Sequence, residues 1–511
     1  MIVFYYLVII TNLYYMLLYL QESHYHFSAF TLITKRIIKN KRSYLLLIPL
    51  ALLFDSGIIV KVSICLVLMI YVMLSLNTKS IVKLNFTPRV KRLFVTFVLI
   101  NTLLVIMFSY LNINKVFIIY LSEILLFISM LINKPFEYLI NRYYIRKAKN
   151  KISKINPIVI GITGSAGKTS CKHFLYQMLK DKYITYMTPK SYNTVLGISK
   201  SINEDMNEFT EVAIIEFGAS HKNDILKSLN IVKPNISLIT NIFSQHLETF
   251  KTIENIINEK CLLMKNSDVH FYNIDSTYKL DTNVKLFSYG ILDAKQDLNK
   301  DNIDTNYYGK DIEYSKDGTK FCLRENTNNS MGNMCNKEVA FETNLLGKTN
   351  IINIISCIAI CRYLKLDYDY IKSRVYNLTP VSSRLELIHS NDKVIINDSF
   401  NSNKNGFIEA LNVLSLFDEK KVIITPGVVT GGSMMESINE ELAMKIIECC
   451  DYCLLVESIA TDYYKNIFNS QGYDYIICDS FDKAYSNALK DKDVKSILIE
   501  NDITDIYRRI K

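Results

Sequence analysis

The sequence predicts an α/β protein in which two parallel-sheet domains follow an α-helical transmembrane region. Three observations predict it. Long apolar stretches crowd the first 135 residues, short β-branched runs alternate with helical stretches from about residue 155, and the first of those runs leads into the turn Gly167-Lys168-Thr169. Because buried parallel strands are nearly continuous apolar runs, this alternation favours doubly wound sheets. The 511 residues are 49% hydrophobic, which excludes a disordered chain.

The predicted transmembrane region covers residues 1–140 and contains five apolar stretches, 2–20, 44–60, 62–76, 93–110 and 116–133. The first carries no charged residue and approaches the length of about 20 apolar residues that a membrane-crossing helix needs. Basic residues cluster in 21–43, in 77–92 and after 133. Cytoplasmic loops carry the excess of Lys and Arg, so about five helices with the N-terminus outside place all three clusters in the cytoplasm. We therefore expect a multi-pass protein of the cell membrane whose remaining domains are cytoplasmic.

The charge distribution also bears on the class of partner. The net charge of +9 comes largely from the three basic clusters, and the sequence has no basic segment interleaved with aromatic residues. Such a segment would indicate nucleic acid binding, so no nucleic acid partner is expected. Glu123 lies inside the last apolar stretch, where it is either a functional carboxylate or one that is bonded within the helical bundle.

The elements after residue 140 form two predicted domains, 141–383 and 384–511. In the first, we expect strands at 157–163, 211–217 and 235–240, helices at 171–180 and 348–364, and an insertion or edge-strand region over 285–340. In the second, we expect strands at 393–398, 421–427, 453–458, 475–480 and 495–501, with helices at 404–416 and 438–450. Strands that alternate with helices in this way indicate a parallel-sheet domain and then a Rossmann-like domain.

A glycine-rich turn joins the first predicted strand to the first predicted helix. It has the pattern T-G-x-x-G-K-T, and its predicted phosphate-binding residues are Gly164, Ser165, Gly167, Lys168, Thr169 and Ser170. The glycines turn backbone N–H groups toward phosphates, and the start of a helix favours an anion. Lys168 would then hold the β- and γ-phosphates and the Thr169 hydroxyl would bind Mg²⁺. The turn therefore predicts a site for ATP and Mg²⁺.

This short loop and seven further segments, in order along the chain, resemble the Mur ligase family, the ATP-dependent amide ligases of peptidoglycan assembly. The segments are Thr188–Gly197, Glu216–Ala219, Asn241–Phe250, Lys260, Gly347–Asn350, Ser383–Glu386 and Asn397–Asn403. The resemblance covers residues from about 155 to about 430. It does not reach the transmembrane region, which stands in place of the soluble UDP-binding domain of the family.

The resemblance implies a metal-binding set. Glu216 and His246 would bind Mg²⁺ together with Thr169. Lys260 follows His246 by fourteen residues, the spacing of the modified lysine of the family, and as a carbamate it would be a third acidic ligand. The implied catalytic residues are Lys168, Lys260, His246 and Arg384.

The resemblance also implies the rest of the substrate site. Asn350 would contact adenine and Arg384 the γ-phosphate. Asp398 and Asn401 would complete the ATP site from the C-terminal domain. Asn193 would lie beside the acceptor. Such enzymes transfer the γ-phosphate of ATP to a carboxylate, and an amine then attacks the acyl phosphate.

Three functions are compatible with these features. The first is a membrane-anchored, ATP-dependent amide ligase that joins an amino acid or dipeptide to a cell-envelope precursor carried on a lipid or held at the inner leaflet. The second is the ordinary ligase that adds D-Ala-D-Ala to a UDP-linked peptidoglycan precursor. The third is a membrane-bound, nucleotide-binding scaffold without catalytic activity. The missing UDP-binding domain favours the first.

Overall fold

A computed structural model describes most of the chain. The described residues are 2–22, 25, 83–113, 117–243, 247–274, 285–292, 306–328, 334–390, 392–400, 403–429 and 434–501. Two predicted apolar stretches, 44–60 and 62–76, lie outside them, as do His246 and Asn401. The chain packs as two units, of which the first ends at Arg142 and the second begins at Tyr143.

The described part of the first unit is helical. Its helices are α1 (Ile2–Glu22), α2 (Pro88–Tyr110) and the first part of α3 (Phe117–Ile155). Thr87 caps α2, since its hydroxyl accepts a hydrogen bond from Val90 N at 3.3 Å, and Pro88 takes the first helical position. Among the described residues, α2 is the one helix that is long and apolar enough to cross a membrane. The prediction of about five transmembrane helices therefore stays a prediction.

The second unit contains two sheets. The strands of the larger sheet are β1 (Ile158–Thr163), β2 (Thr185–Met187), β3 (Val212–Glu216), β4 (Ile236–Ile239), β5 (Val269–Asn273), β6 (Lys285–Ile291), β7 (Tyr307–Ser315), β8 (Gly318–Asn328) and β9 (Met334–Thr343). Their order is β2-β3-β1-β4-β5-β6-β7-β8-β9. The strands from β2 to β7 pair in parallel, whereas β8 and β9 are antiparallel additions at one edge. The predicted parallel sheet is confirmed, and the polar region after residue 285 supplies its edge.

Helices cover this sheet. They are α4 (Lys168–Leu179), α5 (Val195–Asp205), α6 (Asp224–Leu229), α7 (Leu247–Phe250), α8 (Ile253–Lys265), α9 (Lys348–Tyr363) and α10 (Tyr368–Tyr376). The central strands are buried along almost their whole length because helices lie over them, as their continuous apolar runs predict. The end of α3 belongs to this unit, where Ala148 and Ile152 pack in the same apolar cluster as Val159 and Ile198.

The smaller sheet lies further along the chain. Its strands are β10 (Glu386–Ser390), β11 (Lys393–Asp398), β12 (Lys421–Thr425), β13 (Tyr452–Val456), β14 (Tyr475–Cys478) and β15 (Ser496–Glu500), in the order β10-β11-β15-β12-β13-β14. Only the β10–β11 pair is antiparallel among these described strands. The accompanying helices are α11 (Lys404–Leu414), α12 (Met435–Cys449), α13 (Thr461–Gln471) and α14 (Phe481–Lys490). The predicted Rossmann-like alternation is therefore present.

Candidate active site

The glycine-rich turn lies where β1 ends and α4 begins, and two of its residues must be glycine. Gly164 has a φ of +153° and Gly167 a φ of +81°. A Cβ at Gly164 would lie 2.0 Å from Thr240 Oγ1, and one at Gly167 would lie 2.7 Å from Asn353 Oδ1. A side chain at either position would both strain the backbone and collide with a neighbour. The turn is therefore a backbone cradle at the start of a helix, which is the geometry that binds phosphate.

Lys168 closes this cradle. Its Nζ donates to the carbonyl oxygens of Gly164 and Ser165, at 2.8 and 3.3 Å. Ser165 fixes the far side, because its hydroxyl donates to Phe243 O at 3.1 Å. Burial lowers the pKa of Lys168, the charge of Glu216 opposes that effect, and the charge of Arg384 adds to it. Lys168 is thus held over the turn, with an acidic and a basic group close enough to act on its charge.

Glu216 is the centre of the polar contacts beside the cradle. It ends β3, next to β1 in the sheet, and is only 1% exposed. Its Oε2 accepts from Thr169 Oγ1 at 3.1 Å and from Lys172 Nζ at 3.0 Å, and its Oε1 accepts from Asn193 Nδ2 at 3.0 Å. Burial alone would raise the pKa of Glu216, but the charges of Lys172 and Lys168 and these hydrogen bonds outweigh it and lower the pKa. Glu216 is therefore ionised at neutral pH.

The donor chemistry at this point fits Mg²⁺. The Thr169 hydroxyl and the Glu216 carboxylate lie side by side, and Mg²⁺ prefers oxygen ligands that it shares with substrate phosphates. Among the residues that the structure describes, no group of three or more His, Cys, Asp and Glu could by itself hold a metal. The predicted ligand His246 lies outside those residues. Thr169 and Glu216 would therefore hold the ion together with phosphate oxygens.

Lys260 reaches the cradle from α8. It is 5% exposed, and its Nζ donates to Gly164 O at 2.8 Å. Burial lowers the pKa of Lys260 well below its usual value and the charge of Lys168 lowers it further, although Glu259 opposes them. A lowered pKa increases the unprotonated fraction of an amine, which is the form that carbamate formation requires. The structure thus places Lys260 beside the turn, and its carbamylation stays a prediction.

Arg384 lies just before the first strand of the smaller sheet, and Asp398 ends the strand β11. The guanidinium of Arg384 lies 4.8 Å from the centre of the Phe400 ring. Burial lowers the pKa of Arg384, while the charges of Asp398 and Glu216 oppose that effect. Asp398 Oδ1 accepts from Leu385 N at 3.0 Å, and burial raises the pKa of Asp398 to about 6. Residues that lie far apart in the sequence therefore act on one another electrostatically around the cradle.

The adenine-contact prediction concerns α9. Asn350 is buried, and its amide donates to Leu346 O at 2.8 Å. Its role toward adenine stays a prediction. Asn353, which the sequence analysis missed, lies one turn later, is 3% exposed, and has an Nδ2 without a hydrogen-bond partner among the described residues. Since its carboxamide also faces Gly167, Asn353 is a polar group of the cradle. Its spacing of three residues from Asn350, on one helix face, was a usable signal.

Two further residues were missed. Lys172 carries the ammonium group that bonds Glu216, although it lies on the buried face of α4. Glu409, on α11, accepts a hydrogen bond from Lys348 N and so caps the start of α9. Burial raises the pKa of Glu409. Lys172 could have been suspected because a lysine interrupts an apolar helix face. No local signal in the sequence marked Glu409.

The predicted site residues separate into three groups. The structure brings one group together around the cradle, namely Gly164, Ser165, Gly167, Lys168, Thr169, Asn193, Glu216, Lys260 and Arg384. Ser170 is buried in the first turn of α4, Asn350 is bonded within its own helix region, and Asp398 lies beside Arg384. His246 and Asn401 lie outside the described residues. The arrangement can bind a polyphosphate and neutralise its charge.

Comparison with known proteins supports this chemistry. Residues 162–361 match the Mur ligase middle domain. A UDP-N-acetylmuramoyl-tripeptide–D-alanyl-D-alanine ligase of Buchnera aphidicola is 28% identical over 354 residues, which are 68% of this chain and 72% of that protein. The ligase of the same name from Borreliella burgdorferi is 29% identical over 56% of this chain and 59% of its own length.

A solved structure shows the same fold. The MurF ligase of Thermotoga maritima in complex with ADP superimposes with a TM-score of 0.59 at 21% identity, and the match covers 71% of this chain and 80% of that one. Mur ligases are ATP-dependent enzymes that form amide bonds, and the relatives above are named as ligases. Residues 162–361 thus match the middle domain of the ATP-dependent, amide-bond-forming Mur ligases, and the second unit of this chain shares the fold of a solved Mur ligase.

Proposed function

We propose that this chain uses ATP to join the amine of D-alanyl-D-alanine to the carboxylate of a UDP-N-acetylmuramoyl-tripeptide. The conventional reaction is favoured over a lipid-linked one because the relatives are named for it. The observation that carries the proposal is the position of Glu216, which Thr169 contacts from the phosphate cradle and Asn193 from the predicted acceptor side. The Glu216 carboxylate thus contacts both the phosphate cradle and the predicted acceptor side of the site.

The residues of the chain have distinct parts in this reaction. A carboxylate oxygen of the acceptor attacks the γ-phosphorus of ATP, the bond to the bridging oxygen breaks, and ADP leaves. Lys168 and Arg384 offset the negative charge of the two reacting anions. Thr169 and Glu216 would hold Mg²⁺, which supplies further charge neutralisation at the phosphate oxygens. The dipeptide amine then attacks the acyl carbon, phosphate leaves, and the amine loses a proton.

The test is phosphate release that depends on the amine. The purified chain is incubated with ATP, Mg²⁺, the UDP-linked tripeptide and D-alanyl-D-alanine, and the acceptor is analysed by mass spectrometry. Phosphate release and a mass gain of one dipeptide, both absent without the amine, are expected. ATP binding without either result would favour the inactive scaffold, and product only with lipid-extracted acceptor would favour the membrane-carried precursor.

We also propose that the chain is attached to the cell membrane with its ligase region in the cytoplasm. In support, α2 is long and apolar, and Val95, Leu99, Leu103 and Ile106 are exposed along it. Arg89, Lys91 and Arg92 lie at its start, as expected at a cytoplasmic end. Alkaline carbonate extraction of membranes tests this proposal: the chain should stay in the pellet, and complete release into the supernatant would contradict it.

A further inference from the structure

Lys172 occupies a position where a charge is costly. It lies on α4 between the buried residues Cys171 and Phe174, and it is only 2% exposed. Lysine is almost never fully buried unless it is paired, because an ammonium group loses its hydration there. The contacts of its Nζ should therefore explain why the helix carries a lysine here.

Those contacts reach two different segments. Lys172 Nζ donates to Glu216 Oε2 at 3.0 Å and also to the backbone carbonyl of Lys190. The first contact supplies the counter-ion of the buried carboxylate. The second contact does nothing for the charge of Glu216. It ties Lys172 to the loop that contains the predicted acceptor-side residue Asn193.

This acceptor loop, Thr188–Asn193, is attached at one end to the strand β3 and at the other to the residues just after it. Thr188 Oγ1 accepts from Glu216 N at 3.3 Å, and Asn193 O accepts from Gly218 N at 2.8 Å. Between these attachments, Lys190 has a φ of +47°, a left-handed conformation that is uncommon for a residue other than glycine. Such a conformation persists where the surroundings hold it, and the bond from Lys172 to the Lys190 carbonyl is a contact at this residue.

We propose that Lys172 is a positioning residue that holds the acceptor loop in register with the Glu216 carboxylate. The acceptor is then bound at a fixed distance from the phosphate cradle, because one ammonium group fixes both the loop and the carboxylate. This inference rests on the proposed function in one respect, namely that the acceptor binds beside this loop. Lys172 itself touches neither substrate in this account.

Hydrogen exchange of the acceptor loop separates positioning from simple charge pairing. The variant Glu216→Gln keeps Lys172, whose nitrogen can still donate to the Lys190 carbonyl. The double variant Lys172→Met with Glu216→Gln removes both charges and so avoids a buried unpaired ion. We expect amides in 188–193 to exchange at least about tenfold faster in the double variant than in Glu216→Gln. Equal exchange would overturn the proposal, and unchanged exchange in β1 serves as the control for global stability.

Acceptor binding tests the functional half. The UDP-linked tripeptide is titrated onto both variants in the presence of AMP-PNP, a nonhydrolysable ATP analogue. Its affinity should be weaker by about tenfold in the double variant, while that of AMP-PNP changes by less than about threefold. Faster exchange with equal acceptor affinity would contradict positioning of the acceptor. If the wild-type chain does not bind the tripeptide, the proposed function fails, while the exchange comparison still decides whether Lys172 holds the loop.

Discussion

The hydroxyl of Thr169 donates a hydrogen bond to the carboxylate of Glu216 across 3.1 Å, which joins the first turn after the phosphate cradle to the carboxyl end of a neighbouring strand. Parallel strands place their carboxyl ends at one edge of the sheet, so residues 47 positions apart in the chain meet there. A cation that enters between them finds two oxygen ligands already adjacent. This relationship underlies the prediction for Glu216→Gln below.

Lys168→Ala should abolish ATP turnover without unfolding the chain. Lys168 Nζ spans the cradle and is half-buried, and its charge is the one that the β- and γ-phosphates would meet. The loss of a charged group that stabilises a transition state lowers turnover by about 100-fold or more. Phosphate release measures the effect and circular dichroism the fold. Turnover within about tenfold of wild type would contradict the assignment of the loop.

Glu216→Gln should abolish the Mg²⁺-dependent activity. Glutamine keeps the size of the side chain but has no charge for the metal, so turnover should fall by about 100-fold or more and added Mg²⁺ should not restore it. The matched control is Glu204→Gln, because Glu204 is an exposed glutamate that pairs with the exposed Lys200. That control should behave as wild type. A Glu216→Gln variant with the turnover and the Mg²⁺ requirement of wild type would argue that this carboxylate is not a ligand.

Activity should depend on dissolved bicarbonate through Lys260. Burial lowers the pKa of Lys260 well below its usual value, which increases the fraction of the free amine that can react with CO₂. Degassed, bicarbonate-free enzyme should lose activity and regain it when bicarbonate is added. A Lys260→Ala variant should lose activity without such recovery. Carbon-13 NMR with labelled bicarbonate detects the carbamate, and full activity after exhaustive degassing would speak against it.

Asp398→Asn should change how stability varies with pH. Burial raises the pKa of Asp398 to about 6, above the value of about 3.9 expected in the unfolded chain. The stabilisation from this group is fully present below pH ~4 and is lost as the pH rises through about 6. Asparagine has no proton to lose, so the unfolding temperature of the variant should fall less than that of wild type between pH ~5 and pH ~7.

The control for that experiment is Asp392→Asn. Asp392 is exposed and its ion pair with Lys495 holds the pKa of its carboxyl below the usual value, so its contribution is lost as the pH falls rather than as it rises. The control should therefore keep the wild-type loss of stability toward neutral pH. An Asp398→Asn variant with the same pH dependence as wild type would show that another group causes the loss.

Deletion of residues 1–140 should leave a soluble core that binds ATP. The second packed unit begins at Tyr143, and the deletion keeps Ala148 and Ile152 in its apolar cluster. Deletion through residue 155 removes both, and the loss of one buried isoleucine alone costs about 1.5–3 kcal/mol. Thermal unfolding and AMP-PNP binding compare the two fragments. A shorter deletion that binds no nucleotide would mean that the N-terminal residues are required for the site.

The sequence was sufficient for the elements whose own residues carry the signal. The strand β11 has the predicted ends, and β1, β3 and β4 lie within one residue of theirs, because each is a short β-branched run that is buried. The turn at Lys168 was also evident, since a cradle of this kind needs glycine at fixed positions.

Other elements were missed. The helix α14 was missed although its apolar and aromatic residues recur at helical spacing, at positions 481, 484, 485, 488 and 489, which was a usable signal. The strand β10 is half-exposed at a sheet edge. Glu409 was missed for a different reason, because it acts through a partner that is distant in the chain. Lys172 stands out as a lysine on an apolar helix face, but its partners too are visible only after folding.

The hydrogen bond from the start of α9 to Glu409 connects the helix of one sheet to a helix of the other. Burial in this contact raises the pKa of Glu409, so a movement that separated the two helices would hydrate the carboxyl and release its proton more readily. A lower pH should therefore favour the joined arrangement. A separation of the two helices would be coupled to the release of a proton from Glu409, a residue that need not take part in the chemistry.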